Sequence, residues 1–320
     1  MITGKSPQRF TAADQSGERI TSGRVIEEQK NYYLIDIGES IARATIRGVL
    51  KKEKKRVCTG DIVDIGIINR EPLEALILSI HERTTWLPRP PLANLSRVFL
   101  ICTIREPETD LEAIDRFLFT AAAYSIISVL VFNKTDILND NDKPELDRLI
   151  SVYEKAGYRT ILTSAKTGLG IDSIAAAARE GVSAVAGISG VGKTSIMKCL
   201  FQDRDFRTGE LSGATGRGTH TTTNVSLLPL PNGGYMADTP GFAFVDVPEV
   251  PEEDVVTYFP ELEREIGKCR FNNCIHDGEP GCHVQELIDI GEIAPWRRDH
   301  YLKLFHEMRD RRREYRGKEK

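Results

Sequence analysis

Short apolar runs divided by turn residues open the chain. Gly23–Ile26, Tyr32–Gly38, Ala42–Ile46, Asp61–Gly66 and Ala75–Ile80 have the rhythm of β-strands. Five such strands predict a small β-barrel of the OB-fold type over residues 1–85. Trp86–Pro91 is dense in proline and is expected to be a linker, since proline lacks an amide donor. From Arg97 the period changes. Arg97–Ile104, Ile126–Phe132, Thr160–Thr163 and Val182–Ala186 read as buried strands. Leu111–Ala123, Glu145–Gly157 and Ile171–Arg179 lie between them with helical spacing. This alternation predicts an α/β domain over 86–245, a parallel sheet with helices on both faces. Ligand sites then belong at the carboxyl ends of the strands. Beyond Asp246–Pro251, the segments Val284–Gly291 and Pro295–Met308 read as helices, so 246–320 is expected to be a small helical domain.

Composition narrows the class. A chain of 320 residues, 40% hydrophobic and 28% charged, suits a soluble protein of two or three domains. No stretch approaches the length of a membrane span. The N-terminus lacks an apolar signal core, so a cytoplasmic monomer with no membrane partner is expected. The net charge of −4 argues against nucleic acid, yet the charge is patchy. Arg47–Arg56 holds six basic residues and one acid, and the tail from Arg309 to Lys320 holds seven and three. Such runs are usually solvated. On an OB barrel the first also suits phosphate contact, with Tyr32 or Tyr33 as a stacking residue or as core.

The chemistry lies between Phe132 and Ser195. Gly187-Ile188-Ser189-Gly190-Val191-Gly192-Lys193-Thr194-Ser195 contains G-x-x-x-x-G-K-[ST], a phosphate loop. Its glycines let backbone amides face phosphate oxygens, Lys193 adds charge, and Thr194 offers a hydroxyl to Mg²⁺. A helix starting near Thr194 aims its positive end at the same anion. Asn133-Lys134-Thr135-Asp136 supplies the base. The Asp136 carboxylate accepts from the ring N–H and the exocyclic amine of guanine, which adenine cannot satisfy. The Lys134 stem can cover the base and Asn133 can brace the phosphate loop. In Ser164-Ala165-Lys166 the Ala165 amide can meet the guanine carbonyl. These resemble the G4, G5 and G1 motifs of Ras-like GTPases in a circularly permuted order.

Switch elements follow. Leu211–Thr223 is polar and glycine-rich. One of Thr221, Thr222 and Thr223 should reach Mg²⁺, with Thr222 favoured. Asp238-Thr239-Pro240-Gly241 is the D-x-x-G motif, in which Asp238 serves Mg²⁺ and the Gly241 amide senses the γ-phosphate. Phe242 stands where a water-orienting glutamine is usual, so intrinsic hydrolysis is expected to be slow. His220 is the nearest internal substitute, and equally a packing or partner contact. Last, Cys269, Cys274, His276 and Cys282 follow the spacing C-x₄-C-x-H-x₅-C. Three thiolates and an imidazole suit one closed, structural Zn²⁺ site, with His283 a spare. A segment this small is expected to bury little core and to be held mainly by the metal.

Together these motifs resemble the ribosome small-subunit-dependent GTPase A family (RsgA, also YjeQ or YloQ) over almost the whole chain. Arg89–Asn94, Asn133–Asp136, Gly187–Ser195, His220–Thr223, Asp238–Gly241 and the Cys/His cluster carry the likeness. Ser96 departs from it, standing where many members have aspartate. The resemblance implies an OB-fold, a permuted GTPase and a zinc-binding domain. It implies GTP and GDP binding and a late step in maturation of the small ribosomal subunit, with rRNA contact and subunit-stimulated hydrolysis through the switch histidine. A GTP-regulated RNA-binding protein without productive turnover is the competing reading.

Overall fold

Alternate residues of the first strands turn inward, as their pattern requires. The computed structural model describes residues 20–46, 56–108, 110–201, 225–238 and 247–318, with side chains as far as Glu314. Strands β1 (Ile20–Glu28), β2 (Tyr33–Asp36), β3 (Ile41–Ile46), β4 (Ile62–Arg70) and β5 (Leu73–Ile80) pair in the closed order β1-β2-β3-β5-β4-β1. The β3–β5 pair is parallel and the others antiparallel, which is OB-fold topology. Val25, Ile35, Ala42, Val63, Ile65 and Ile77 fill the interior. Tyr33 packs against that core, while Tyr32 lies under the Arg43 guanidinium, 4.2 Å from ring centroid to carbon. Residues 47–55 of the basic run lie outside the described residues, and Arg56 pairs with Glu28 at 3.6 Å.

The proline-rich stretch is not a linker. It forms a hairpin of β6 (Trp86–Pro88) and β7 (Pro91–Ala93). A sheet of two short strands has only edges, so prolines without donors are tolerated there. Leu87, Leu92 and Ala93 are fully buried, which supplies the reason to pair.

Then β8 (Leu95–Cys102), α1 (Leu111–Ala123), β9 (Ile127–Phe132), α2 (Lys143–Ala156), β10 (Arg159–Leu162), α3 (Ile171–Ala177), β11 (Val182–Ala186) and α4 (Lys193–Leu200) alternate as expected. The β8–β9 and β9–β10 pairs are parallel. Asp110 caps α1, accepting from the amides of Glu112 and Ala113. Gly157, at φ 107, ends α2 in the left-handed conformation that glycine adopts without cost. Two strands follow, β12 (Ser226–Pro229) and β13 (Tyr235–Asp238). β12 is not among the strands expected from the sequence. It pairs antiparallel with β13 and touches β1 through Glu27 opposite Ser226, while β11 pairs parallel with β13.

The chain divides into two compact units. One contains the barrel, the β6–β7 hairpin, residues 178–184, β12 and β13. Within it Thr59 Oγ1 donates to the Val225 carbonyl at 3.0 Å, and Tyr235 Oη donates to Asp36 at 3.0 Å. Ser96 Oγ donates to the Val182 carbonyl at 2.8 Å, which is what the departure at this position does here.

The other unit joins 97–177 and 185–205 to the C-terminal residues from 241. There a 3₁₀ turn (Glu252–Tyr258), α5 (Pro260–Glu263), α6 (His283–Asp289) and α7 (Pro295–Lys318) build a core of their own. Val255, Phe259, Leu262, Val284, Tyr301 and Phe305 are buried together with Phe119 of α1. The expectation that little but metal holds this segment is therefore corrected. Helix pairing brings apolar residues distant in sequence into one cluster, which no local window shows. A buried cation reinforces it. Arg297, 1% exposed, donates to Asp115 of α1 at 2.6 Å and to both Glu261 oxygens. Asp115 also accepts from Tyr153 Oη at 2.8 Å and pairs with His300 Nδ1 at 2.6 Å. The tail arginines are engaged within the chain, Arg312 with Glu252 at 2.8 Å and Arg311 with Glu307 at 2.6 Å. Among the described residues no helix is long and apolar enough to cross a membrane.

Removing Arg297 takes from two buried carboxylates the guanidinium they share. Arg297→Met should cost about 3–5 kcal/mol, the usual loss on breaking a buried ion pair from one side. A urea unfolding series reads this directly, and a shift no larger than that of a surface arginine substitution would contradict the role given to Arg297.

Candidate nucleotide and metal sites

Three motifs meet at the ends of three strands. Phe132 ends β9 and Asn133 follows; Leu162 ends β10, ahead of Thr163-Ser164-Ala165; Ala186 ends β11, ahead of Gly187. Asn133 is 3% exposed and joins them all. Its Nδ2 donates to the Val191 carbonyl at 2.8 Å, and its Oδ1 accepts from Thr163 Oγ1 at 3.1 Å and from the Ala165 amide at 3.2 Å. The amide expected to face a purine carbonyl thus has an internal partner in this structure. Gly192 makes the approach possible. At φ 99, a Cβ there would stand 2.3 Å from Asn133 Nδ2.

Asp136 is set by its neighbours. Ser164 Oγ donates to Oδ1 at 2.6 Å, and Lys166 Nζ stands 3.8 Å from Oδ2. The Ser164 hydroxyl holds the Asp136 carboxyl below the usual carboxylate range, so it is ionised and accepts hydrogen bonds at neutral pH. Thr135 Oγ1 donates to the Thr163 carbonyl at 3.0 Å, tying the first motif to the second. Lys134 is left-handed at φ 61, opening a 3₁₀ turn over Thr135–Ile137.

In the phosphate loop, Gly187, Gly190 and Gly192 all have positive φ. Lys193 folds back on the loop, donating to the carbonyls of Gly187 at 2.7 Å and Ile188 at 2.9 Å. Burial holds its ammonium below the usual lysine range. Ser189, Gly190 and Ser195 are exposed and Thr194 is half-buried at the first turn of α4. One contact was missed by sequence reasoning. Cys199, in α4, donates its thiol to the Ala165 carbonyl at 3.2 Å. A cysteine one turn past a phosphate loop carries no signal of its own.

In the other unit Asp238 ends β13. One of its carboxylate oxygens is buried and has no hydrogen-bond partner among the described residues, and burial raises its pKa to about 6. A buried, unpartnered carboxylate oxygen fits a divalent cation, which would restore the charged form. His220, Thr221, Thr222, Thr223, Gly241 and Phe242 lie outside the described residues.

The C-terminal unit gathers Cys269, Cys274, His276 and Cys282, their ligand atoms within 4.8 Å of one another. His276 Nδ1 lies 3.6, 3.6 and 3.4 Å from the sulfurs of Cys269, Cys274 and Cys282. Burial pushes the Cys274 and Cys282 thiols up, so a cation is what would hold these two as thiolates. The cluster can hold one metal ion. The His283 amide donates to Cys269 Sγ at 3.3 Å, while its ring lies outside the cluster, between Glu265 and Glu286.

Comparison with known proteins agrees with this geometry. The sequence model described as RsgA GTPase matches residues 80–248. The small ribosomal subunit biogenesis GTPase RsgA of Moorella thermoacetica is 38% identical over 293 residues, 92% of this chain and 99% of that one. Its namesake in Carboxydothermus hydrogenoformans is 37% identical, over 89% and 97% of the two chains. Among solved structures, YjeQ from Thermotoga maritima superposes with a TM-score of 0.76 at 31% identity, covering 90% of this chain and 98% of that one. YloQ, a circularly permuted GTPase, superposes with a TM-score of 0.78 at 26% identity, covering 94% and 99%. With the phosphate loop placed after the base-reading motifs and a Cys/His cluster at its end, this chain belongs to the RsgA GTPase family.

Proposed function

We propose that the protein hydrolyses GTP to GDP and phosphate as a late maturation factor of the small ribosomal subunit, a monomer acting in the cytoplasm. The observation that carries this is the Asn133 hub, which joins a base-reading carboxylate to a phosphate loop, in a chain similar along its length to small-subunit biogenesis GTPases. Asn133 to Asp136, Ser164 to Lys166, Gly187 to Ser195, Asp238 and Gly241 form the nucleotide site in this reading. Thr194, Thr222 and Asp238 would hold Mg²⁺, whose charge offsets that of the phosphates. The three functional parts are 1–85, 86–245 and 246–320.

Zinc fits the Cys/His cluster by size. Zn–S bonds of about 2.3 Å and Zn–N bonds of about 2.0–2.1 Å imply tetrahedral S···N edges of roughly 3.5 Å. The three sulfur-to-nitrogen distances span 3.4–3.6 Å, which supports a closed structural site with His276 Nδ1 as a ligand atom.

The barrel and the base of the G3 motif share one hydrogen-bonded sheet, through β1, β12 and β13. An rRNA grip on the barrel can therefore bear on Asp238. Phe242 leaves water without a side-chain acceptor, and His220, with the subunit bound, would orient it.

Asp136→Asn replaces an acceptor by an amide. GDP should bind roughly tenfold more weakly, and XDP, whose 2-carbonyl accepts from the new amide, should lose nothing. Calorimetry with both nucleotides reads the difference. Equal losses would remove Asp136 from base recognition.

Chelating the metal, or Cys274→Ala, should expose residues 268–282 to protease while α7 and its core stay protected. Unchanged cleavage in metal-free protein would rule out a structural site.

Hydrolysis should be slow alone, much faster with small subunits, and less stimulated as salt rises, because the grip is on phosphates. His220→Ala should keep GTP binding and lose most of the stimulated rate. Single-turnover assays across a salt series measure each quantity. A wild type that binds GTP and rRNA but gains no rate from the subunit would favour the reading without productive turnover.

A further inference from the structure

The loop from β8 to α1 belongs to none of the sequence motifs, yet it touches two of them. The Glu106 carbonyl accepts a hydrogen bond from Lys134 Nζ. The ring of Pro107 stands against the phosphate loop, where a Cβ added to Gly190 would lie 3.3 Å from Pro107 Cδ. The turn is seated from its own side too. Thr103 Oγ1 donates to the Pro107 carbonyl, and Arg105 Nε donates to Asp142 at 2.6 Å, at the start of α2. Glu106 and Lys134 both have left-handed backbones, at φ 55 and 61. Residues with a Cβ seldom adopt this region, and those that do collect where surrounding structure dictates the backbone for a purpose.

We propose that the Glu106–Pro107 turn is a positioning element of the guanine-nucleotide site that acts through Lys134; this rests on the nucleotide reading above. A lysine stem lies along a purine face only after giving up rotamer freedom. Glu106 holds Nζ in advance, so that freedom is already lost before the nucleotide arrives. Seating the turn on Gly190 places the carbonyl at a set distance from the phosphate loop. The stem over the base and the loop around the phosphates are thereby kept at one spacing.

A double-mutant cycle tests the idea in the full-length protein, with GDP titrated calorimetrically. Thr103→Val removes the hydroxyl that seats the turn, and Pro107→Gly loosens it by unrelated chemistry. Each should weaken GDP binding about three- to tenfold, the scale for one rotamer-rich side chain that must be immobilised on binding. In Lys134→Ala protein the same changes should cost less than about twofold, because the side chain they act through is gone. Thermal midpoints should stay close to wild type, a check that separates positioning from general damage. Equal losses with and without Lys134, or no loss in either turn variant, overturn the proposal. A wild type that does not bind GDP is a different result, and overturns the nucleotide reading instead.

Discussion

One buried carboxamide holds the nucleotide site together. Asn133 has two donors and an acceptor with two lone pairs. It spends them on the phosphate loop, through the Val191 carbonyl, and on the second base motif, through Thr163 and the Ala165 amide. No other side chain of that size offers donor and acceptor on one planar group. Aspartate would face the Val191 carbonyl with a lone pair, and leucine would take away the partner of the Val191 carbonyl and of the Ala165 amide. The glycine at 192 is the other half of this constraint, since Asn133 Nδ2 fills the volume a Cβ would take. The order of motifs along the chain matters little to such a hub. It requires three strand ends in one place, and parallel strands provide that whichever end of the domain comes first.

The C-terminal unit is held by two unlike devices. A Cys/His cluster that can hold a metal ion gathers residues 269–282, and the helices around it bury an aromatic core. Arg297 sits inside that core with two carboxylates and the faces of Phe259, Tyr153 and Tyr158. A buried ion pair of this kind adds little net stability over an apolar substitute, but it penalises any packing that separates its members. Asp115 lies on α1 and Glu261 on α5, so the penalty selects one docking of the segment that carries the Cys/His cluster on the α/β part of its unit.

In the other unit, the strand that ends on Asp238 is bonded to the barrel. Glu27 opposite Ser226, Thr59 to Val225 and Tyr235 to Asp36 are three separate ties. A barrel joined by a free linker could bind its partner without consequence for the strand. These ties remove that independence, and they give a physical route from the barrel to Asp238.

The nucleotide motifs were legible because their chemistry is local: a carboxylate two residues past a lysine, or glycines at fixed spacing, need no partner to be recognised. The barrel strands and the α/β alternation were legible for a similar reason, since periods of 2 and 3.6 report one buried face per element. The Cys/His cluster showed its ligands within one short stretch, though which histidine nitrogen faces the sulfurs came only with coordinates. Other features needed the chain folded. Trp86–Pro91 looked like a linker because proline statistics describe central strands, and only the burial of Leu87 and Leu92 explains a hairpin there. Arg297 reads as one more basic residue on a polar helix until Asp115 and Glu261 arrive from far along the chain. What Glu106 and Pro107 do rests on a backbone carbonyl and a ring edge, and neither is written in residue type. Sequence determined the motifs, the periods and the ligand set, each carried by neighbours in the chain. Tertiary structure alone decided which of them share a hydrogen bond, because that depends on where strands end in space.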